Sequence, residues 1–174
     1  LERIDSEVSR LKTLTSGLLS FSGNATGNRV RTDLNKTLED VLVLLGYEIN
    51  RKQIKLVCDH VDLPEVLVDS NAFKQVFINL ILNAVQAMDK GGELHLSSCK
   101  YAEAGVKISV SDDGPGIPED VCDKIFEPFF TSRKDGEGTG LGLYICRKIV
   151  TDHGGELRLK KNPVGGCVFE VLLP

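Results

Sequence analysis

Along residues 1–21 the apolar positions alternate by three and four. Leu1, Ile4, Val8, Leu11 and Leu18 fall at the a and d sites of a heptad, with Thr15 as the polar interruption. Glu2, Arg3, Asp5, Glu7, Arg10 and Lys12 occupy the other faces, so the pattern predicts an amphipathic helix. Such a seam packs either on its own domain or against a partner helix in a bundle. Residues 23–28 are polar and glycine-bearing and read as a linker.

From residue 29 the period changes repeatedly. A short strand is expected at 29–32, then a helix over 35–50 with Leu38, Val41, Leu42, Leu45 and Ile49 on one face. Short strands follow at 54–58 and 65–68, and Asp69 or Ser70 can cap the next helix. That helix, over 72–88, carries Phe77, Leu80, Ile81, Ala84 and Met88 as a core stripe. Alternating segments at 93–100 and 106–111 read as half-buried strands. Residues 112–140 lack periodicity, and structureless stretches longer than about 12–15 residues are usually functional or disordered. A helix over 141–151 and a hairpin of strands at 156–160 and 167–173 complete the chain. Helices and strands in mixed order, with late strands joined by short turns, predict a two-layer α/β sandwich on a mostly antiparallel mixed sheet.

Composition narrows the functional classes. The 174 residues carry 25 acidic and 21 basic side chains, a formal charge of −4. A mildly acidic chain without a Lys/Arg cluster is not built to grip nucleic acid. No apolar run approaches the roughly 18 residues of a membrane span, so no membrane contact is expected of these residues. Cys58, Cys99, Cys122, Cys146 and Cys167 are odd in number and widely spaced. They fit neither a zinc site nor a disulfide framework, which points to a reducing, cytoplasmic setting. The absence of an initial Met suggests a piece of a longer protein. Thirteen of the 17 glycines follow Lys90, and six lie between Asp113 and Leu143, so loops of special backbone geometry are expected there.

Three clusters carry candidate chemistry. Asn79, Asn83 and Gln86 share one face of the 72–88 helix. Asparagine is a mediocre helix former, so the pair is either a solvated polar stripe or two carbonyl oxygens aimed at a hard cation such as Mg²⁺. Asp112-Asp113-Gly114-Pro115-Gly116 follows an apolar strand, which makes it either a simple turn or a carboxylate acceptor held at a strand end. Gly138-Thr139-Gly140-Leu141-Gly142-Leu143 opens a helix, where exposed N–H groups suit phosphate. It matches neither the dinucleotide fingerprint nor the P-loop.

The order of these pieces, with Ile125-Phe126-Glu127-Pro128-Phe129-Phe130 between the last two, resembles the ATP-binding half of a bacterial sensor histidine kinase with its N, G1, F and G2 boxes. Asn79-Leu80-Ile81-Leu82-Asn83-Ala84 and Phe126-Glu127-Pro128-Phe129-Phe130-Thr131 match closely. Residues 165–174 resemble the family's last strand, with Cys167 where Thr is common. The heptad at 1–22 resembles the second helix of the dimerisation and phosphoacceptor hairpin, leaving 23–28 as linker and 29–174 as the catalytic domain.

The resemblance implies the Bergerat ATP fold, with ATP and Mg²⁺ as cofactors. It implies Asp112 as acceptor for the adenine amino group, Gly114, Gly116 and Ile117 around the adenine-side turn, and Phe126 in the mobile segment. Asn83 would be the metal ligand, with Asn79 one turn earlier. Gly138, Thr139, Gly140, Leu141 and Gly142 would contact the triphosphate. Asn79 stands where ATPase relatives place a catalytic Glu, and an amide cannot act as a base, so transfer rather than hydrolysis is implied. Gln86 departs from the Lys of many kinases, which leaves Arg133 or Lys134 as the phosphate-contacting cation. His60, His95 and His153 lie outside any phosphoacceptor box and are expected to be structural. The implied partners are a dimerisation hairpin bearing the histidine and a response regulator, in a homodimeric parent that could be membrane-anchored. A Ser/Thr kinase of the anti-sigma type, or a docking module without catalysis, are the alternatives on the same fold.

Overall fold

The computed structural model describes residues 28–101, 105–131 and 139–174. The heptad segment and most of the linker therefore lie outside the described residues. The chain begins with β1 (Val30–Thr32), α1 (Leu34–Arg51), β2 (Lys55–Asp59), β3 (Val66–Val68) and α2 (Ser70–Ala87). It continues with β4 (Glu93–Tyr101), β5 (Gly105–Asp112), two single 3₁₀ turns at Glu119–Val121 and Lys124–Phe126, α3 (Gly142–Asp152), β6 (Glu156–Lys161) and β7 (Cys167–Leu173).

Local chemistry sets the helix ends. Asp33 caps α1, its Oδ1 accepting from the N–H groups of Asn35 at 2.9 Å and Lys36 at 3.2 Å. Asp69, rather than Ser70, caps α2 by accepting from Asn71 at 2.9 Å and Ala72 at 3.1 Å, so this helix starts two residues before the expected position. Each cap satisfies N–H groups that the first turn leaves unpaired. At the other end of α2, Lys52 Nζ donates to the carbonyls of Val85 at 2.9 Å and Met88 at 2.7 Å. A cation there meets both orphan carbonyls and the negative end of the helix dipole.

Five strands form one sheet in the order β2-β4-β5-β7-β6. β2 runs parallel to β4 and the remaining pairs are antiparallel. The parallel pair follows from the long crossover through β3 and α2 between its strands. β1 and β3 pair separately as a small antiparallel sheet, a division that the apolar pattern did not predict. The large sheet buries Leu94, Leu96, Val106, Ile108, Val110, Phe169, Val171 and Leu173 in one cluster with Phe73, Phe77, Leu80 and Ile81 of α2. α2 packs against both other helices, and the result is the expected two-layer α/β sandwich. Among the described residues no helix is long and apolar enough to cross a membrane.

Leu80 is fully buried at the centre of α2. Leu80→Ala is expected to lower unfolding free energy by about 2–5 kcal/mol through lost transfer energy and a residual cavity, read as a lower urea midpoint with an unchanged slope.

Candidate functional site

The helix whose apolar face is buried in the core also presents the amides. Asn79 and Asn83 are both half-buried on α2, beside the fully buried Leu80 and Ile81. Asn79 Nδ2 donates to the carbonyl of Gly142 at 3.3 Å, which ties the middle of α2 to the first turn of α3. A side chain on Gly142 would meet the Asn79 amide at 3.8 Å, so the helix start lies directly on the amide face. Beneath it, burial pushes the Cys146 thiol up to about 12, and the thiol donates to the Val76 carbonyl at 3.7 Å. Among the described residues no hydrogen bond engages the Asn83 amide. Its carbonyl oxygen is therefore available one turn from Asn79.

Asp112 closes β5 and is only 4% exposed. Its Oδ1 accepts from the Gly114 N–H at 3.0 Å, and the backbone N–H of Cys167 donates to the same carboxylate. Burial raises the Asp112 carboxyl above its usual range; the two N–H donors oppose that shift, and the adjacent Asp113 adds to it. A Cβ at Gly114 would lie 2.9 Å from Asp112 Oδ1 and 3.5 Å from Ala87. The turn thus runs between the carboxylate and the end of α2, where only glycine fits without displacement. Gly116 adopts φ +78°, the left-handed region that favours glycine. Asp113 has a different task, with Oδ1 accepting from the Glu93 N–H at 2.9 Å to hold the start of β4.

Phe126 is buried and packs edge-on against Phe169 with ring centroids 6.4 Å apart. The Arg147 guanidinium of α3 lies 5.1 Å over its ring, a cation–π contact that joins this segment to the helix. Ile117, Cys122, Phe126, Gly166 and Cys167 line a cavity of about 250 Å³. Three residues past Phe126, Phe129 is 67% exposed and holds φ +66°, strained backbone for an aromatic residue. Gly140, at φ +64°, presses on it so closely that a Cβ would overlap the Phe129 backbone. Residues 129 and 140 are thereby brought together. Thr139 Oγ1 accepts from the Leu141 N–H at 3.3 Å, and Leu141 is buried.

The expected site residues Asn79, Asn83, Asp112, Gly114, Gly116, Ile117, Phe126, Thr139, Gly140, Leu141 and Gly142 occupy α2, the turn after β5, the 3₁₀ segment and the start of α3. Arg133, Lys134 and Gly138 lie outside the described residues. Two contributors escaped the sequence reading. Cys167 acts through its backbone N–H, which no side-chain pattern reveals, and Asn162 anchors the β6–β7 turn to the strand end carrying Asp112. The Asn-Pro-Val-Gly-Gly run at 162–166 marks that turn but not its contact. His153 is structural as expected: its Nε2 accepts from the Asp69 N–H at 3.1 Å and its Nδ1 pairs with the Ile149 carbonyl at 2.7 Å. His95 Nε2 lies 2.8 Å from Asp59 Oδ2.

The donor set fits a magnesium nucleotide. A buried carboxylate acceptor suits an exocyclic amino group, neutral amide oxygens suit a hard cation, and a glycine-rich helix start suits phosphate. Among the described residues no group of three His, Cys, Asp or Glu side chains is placed to hold a metal.

Fold and site together define a two-layer nucleotide-binding ATPase domain. Residues 68–174 match the family described as histidine kinase-, DNA gyrase B- and HSP90-like ATPase, and the chain belongs to that family. It is 36% identical over 173 residues to Sporulation kinase C of Bacillus subtilis (strain 168), spanning 98% of this chain but 40% of that protein. The nucleotide-free catalytic domain of histidine kinase ThkA superposes with a TM-score of 0.76 at 36% identity, covering 84% of this chain and 97% of that one. ThkA in complex with response regulator protein TrrA aligns with a TM-score of 0.82 at 34% identity, over 98% of this chain and 49% of that one.

Gly140→Ala forces a Cβ into the Phe129 backbone at a positive φ. It is expected to destabilise the domain by about 1–3 kcal/mol, measured by chemical denaturation. Gly46, which has open space around it, serves as the control substitution.

Proposed function

We propose that this chain is the ATP-binding catalytic region of a sensor histidine kinase. It transfers the γ-phosphoryl group of ATP to a histidine on a dimerisation hairpin, which then feeds the aspartate of a response regulator. In this reading residues 1–22 are the second hairpin helix, 23–28 the linker and 29–174 the catalytic domain of a homodimeric parent working in the cytoplasm. The observation that carries the reading is the convergence of the α2 amide face with the glycine start of α3, in a chain whose β5 ends in a buried carboxylate. The relatives named as kinases, and the ThkA assembly with its response regulator, support the same assignment.

Asp112 accepts the adenine amino group, because a buried ionised carboxylate offers only acceptors. Gly114 and Gly116 let the backbone lie against the base without a Cβ, and Ile117 covers its apolar face. Asn83, with Asn79 one turn earlier, would hold Mg²⁺, which when bound neutralises phosphate charge and orients the transferred group. The N–H groups around Thr139, Gly140 and Gly142 face the triphosphate, with Gly138 next to them in sequence. Arg133 (or its neighbour Lys134) supplies the cation that meets the developing charge on the γ-phosphoryl oxygens. α2 itself carries no Asp or Glu that could deprotonate water. The acceptor imidazole already carries a nucleophilic lone pair and needs no such base. Phosphoryl transfer depends chiefly on positioning and charge neutralisation, so binding and docking can supply the rest.

Incubation with labelled ATP and a separately supplied histidine-bearing hairpin is expected to place acid-labile label on the hairpin; acid-stable label or none counts against the kinase reading. Asn83→Ala is expected to abolish Mg²⁺-dependent transfer while the melting temperature stays within a few degrees. Asp112→Asn keeps an acceptor for the Gly114 and Cys167 N–H groups, so the fold should persist while ATP affinity falls by about tenfold or more, since a buried acceptor now faces the ligand with a donor. Calorimetric titration reads the loss. Acid should act similarly: because burial raises the Asp112 carboxyl, ATP affinity in the wild type should fall, as pH drops, before ordinary aspartates protonate. The sign for folding is opposite to that of a salt-bridged carboxylate. The native state binds this proton more tightly, so the group's contribution to stability declines as pH rises from the unfolded value through the raised native one.

A further inference from the structure

We propose that Asn162, in the turn between β6 and β7, is a positioning residue that sets adenine selectivity by holding Asp112 in place. The proposal rests on the reading of Asp112 as the base-recognising acceptor. Asn162 Nδ2 donates to the Asp112 carbonyl at 2.8 Å and to Ser111 Oγ at 3.1 Å. Its own Oδ1 accepts from the Val164 N–H at 3.3 Å, and its carbonyl accepts from the Gly165 N–H at 3.1 Å. One amide therefore shapes its turn with one end and clasps the end of β5 with the other.

The clasp has a mechanical consequence. It brings Gly166, at φ +82°, against the backbone of Asp112, while Gly165, at φ +112°, faces the carbonyls of Asp113 and Gly114. A Cβ on Gly166 would overlap the Asp112 carbonyl and would sit 2.6 Å from Oδ1. The next residue is Cys167, whose N–H donates to the Asp112 carboxylate. Asn162 thus fixes the register of one of the two N–H donors that orient the carboxylate. Adenine offers an amino group where guanine offers a carbonyl oxygen. A carboxylate held rigidly at that point binds the first and repels the second, and one free to swing discriminates less.

Two variants separate the clasp from the turn. N162A loses both, whereas N162D keeps the acceptor for Val164 but replaces the donor that grips β5. Calorimetric titration of wild type and both variants with ATP and GTP, alongside melting temperatures, provides the readouts. Both variants are expected to lower the ATP-to-GTP affinity ratio by about five- to tenfold, the loss of roughly one buried hydrogen bond. N162D should do so with a smaller fall in melting temperature than N162A. If N162D is destabilised yet keeps the wild-type ratio, Asn162 merely stabilises a hairpin and the proposal is overturned. A wild-type domain that does not discriminate between the two nucleotides overturns the adenine reading of Asp112 itself, and the role of Asn162 with it.

Discussion

A carboxylate buried at the end of a strand constrains the loops around it. Removing a charge from water is costly unless hydrogen bonds replace the lost hydration. Asp112 meets that demand with two backbone N–H donors, one from the turn that follows it and one from the start of β7. The first requires a chain that doubles back within two residues, hence Gly114. The second requires the β6–β7 turn to fold down onto β5, hence the Gly165–Gly166 pair. Electrostatic need thus dictates backbone shape on two separate elements.

α2 answers a different pair of demands. Its apolar stripe must anchor the sheet, while Asn79, on the neighbouring stripe of amides, ties it to the start of α3. Asparagine weakens a helix, and the structure compensates at both termini: Asp69 satisfies the first N–H groups and Lys52 reaches across from the end of α1 to the last carbonyls. The amide face therefore rides on a helix whose stability is secured elsewhere. The close fit of Phe129 against Gly140 is the matching device on the other wall, since it gathers the two flanks of the intervening segment beside the α3 start.

Periodicity revealed the elements that are driven by burial. The stripes of α1 and α2, the alternation in β4 and β5, and the closing β6–β7 hairpin all sit within a few residues of expectation, because each local pattern agrees with the fold it serves. The ordered Asn, Asp-x-Gly-x-Gly and Gly-rich motifs likewise marked segments that the fold brings together along α2. Contacts closed by backbone atoms were not legible. The N–H of Cys167, the left-handed Phe129 and the pairing of β1 with β3 depend on where distant segments meet. Asn162 illustrates the limit well: its turn chemistry is written locally, but its grip on Asp112 spans fifty residues.

Among the described residues the sheet is open, with β2 and β6 as its two outer strands. Exposed edges invite strand addition and aggregation unless charge or shape discourages it. On β6, Arg158 and Lys160 pair with Glu156 and Glu170, and Lys161 reaches Glu119. On β2, Lys55 and Asp59 are engaged by Glu93 and His95. A second sheet approaching either side would have to dehydrate these ion pairs before gaining a ladder bond. Self-association is therefore steered away from joining sheets.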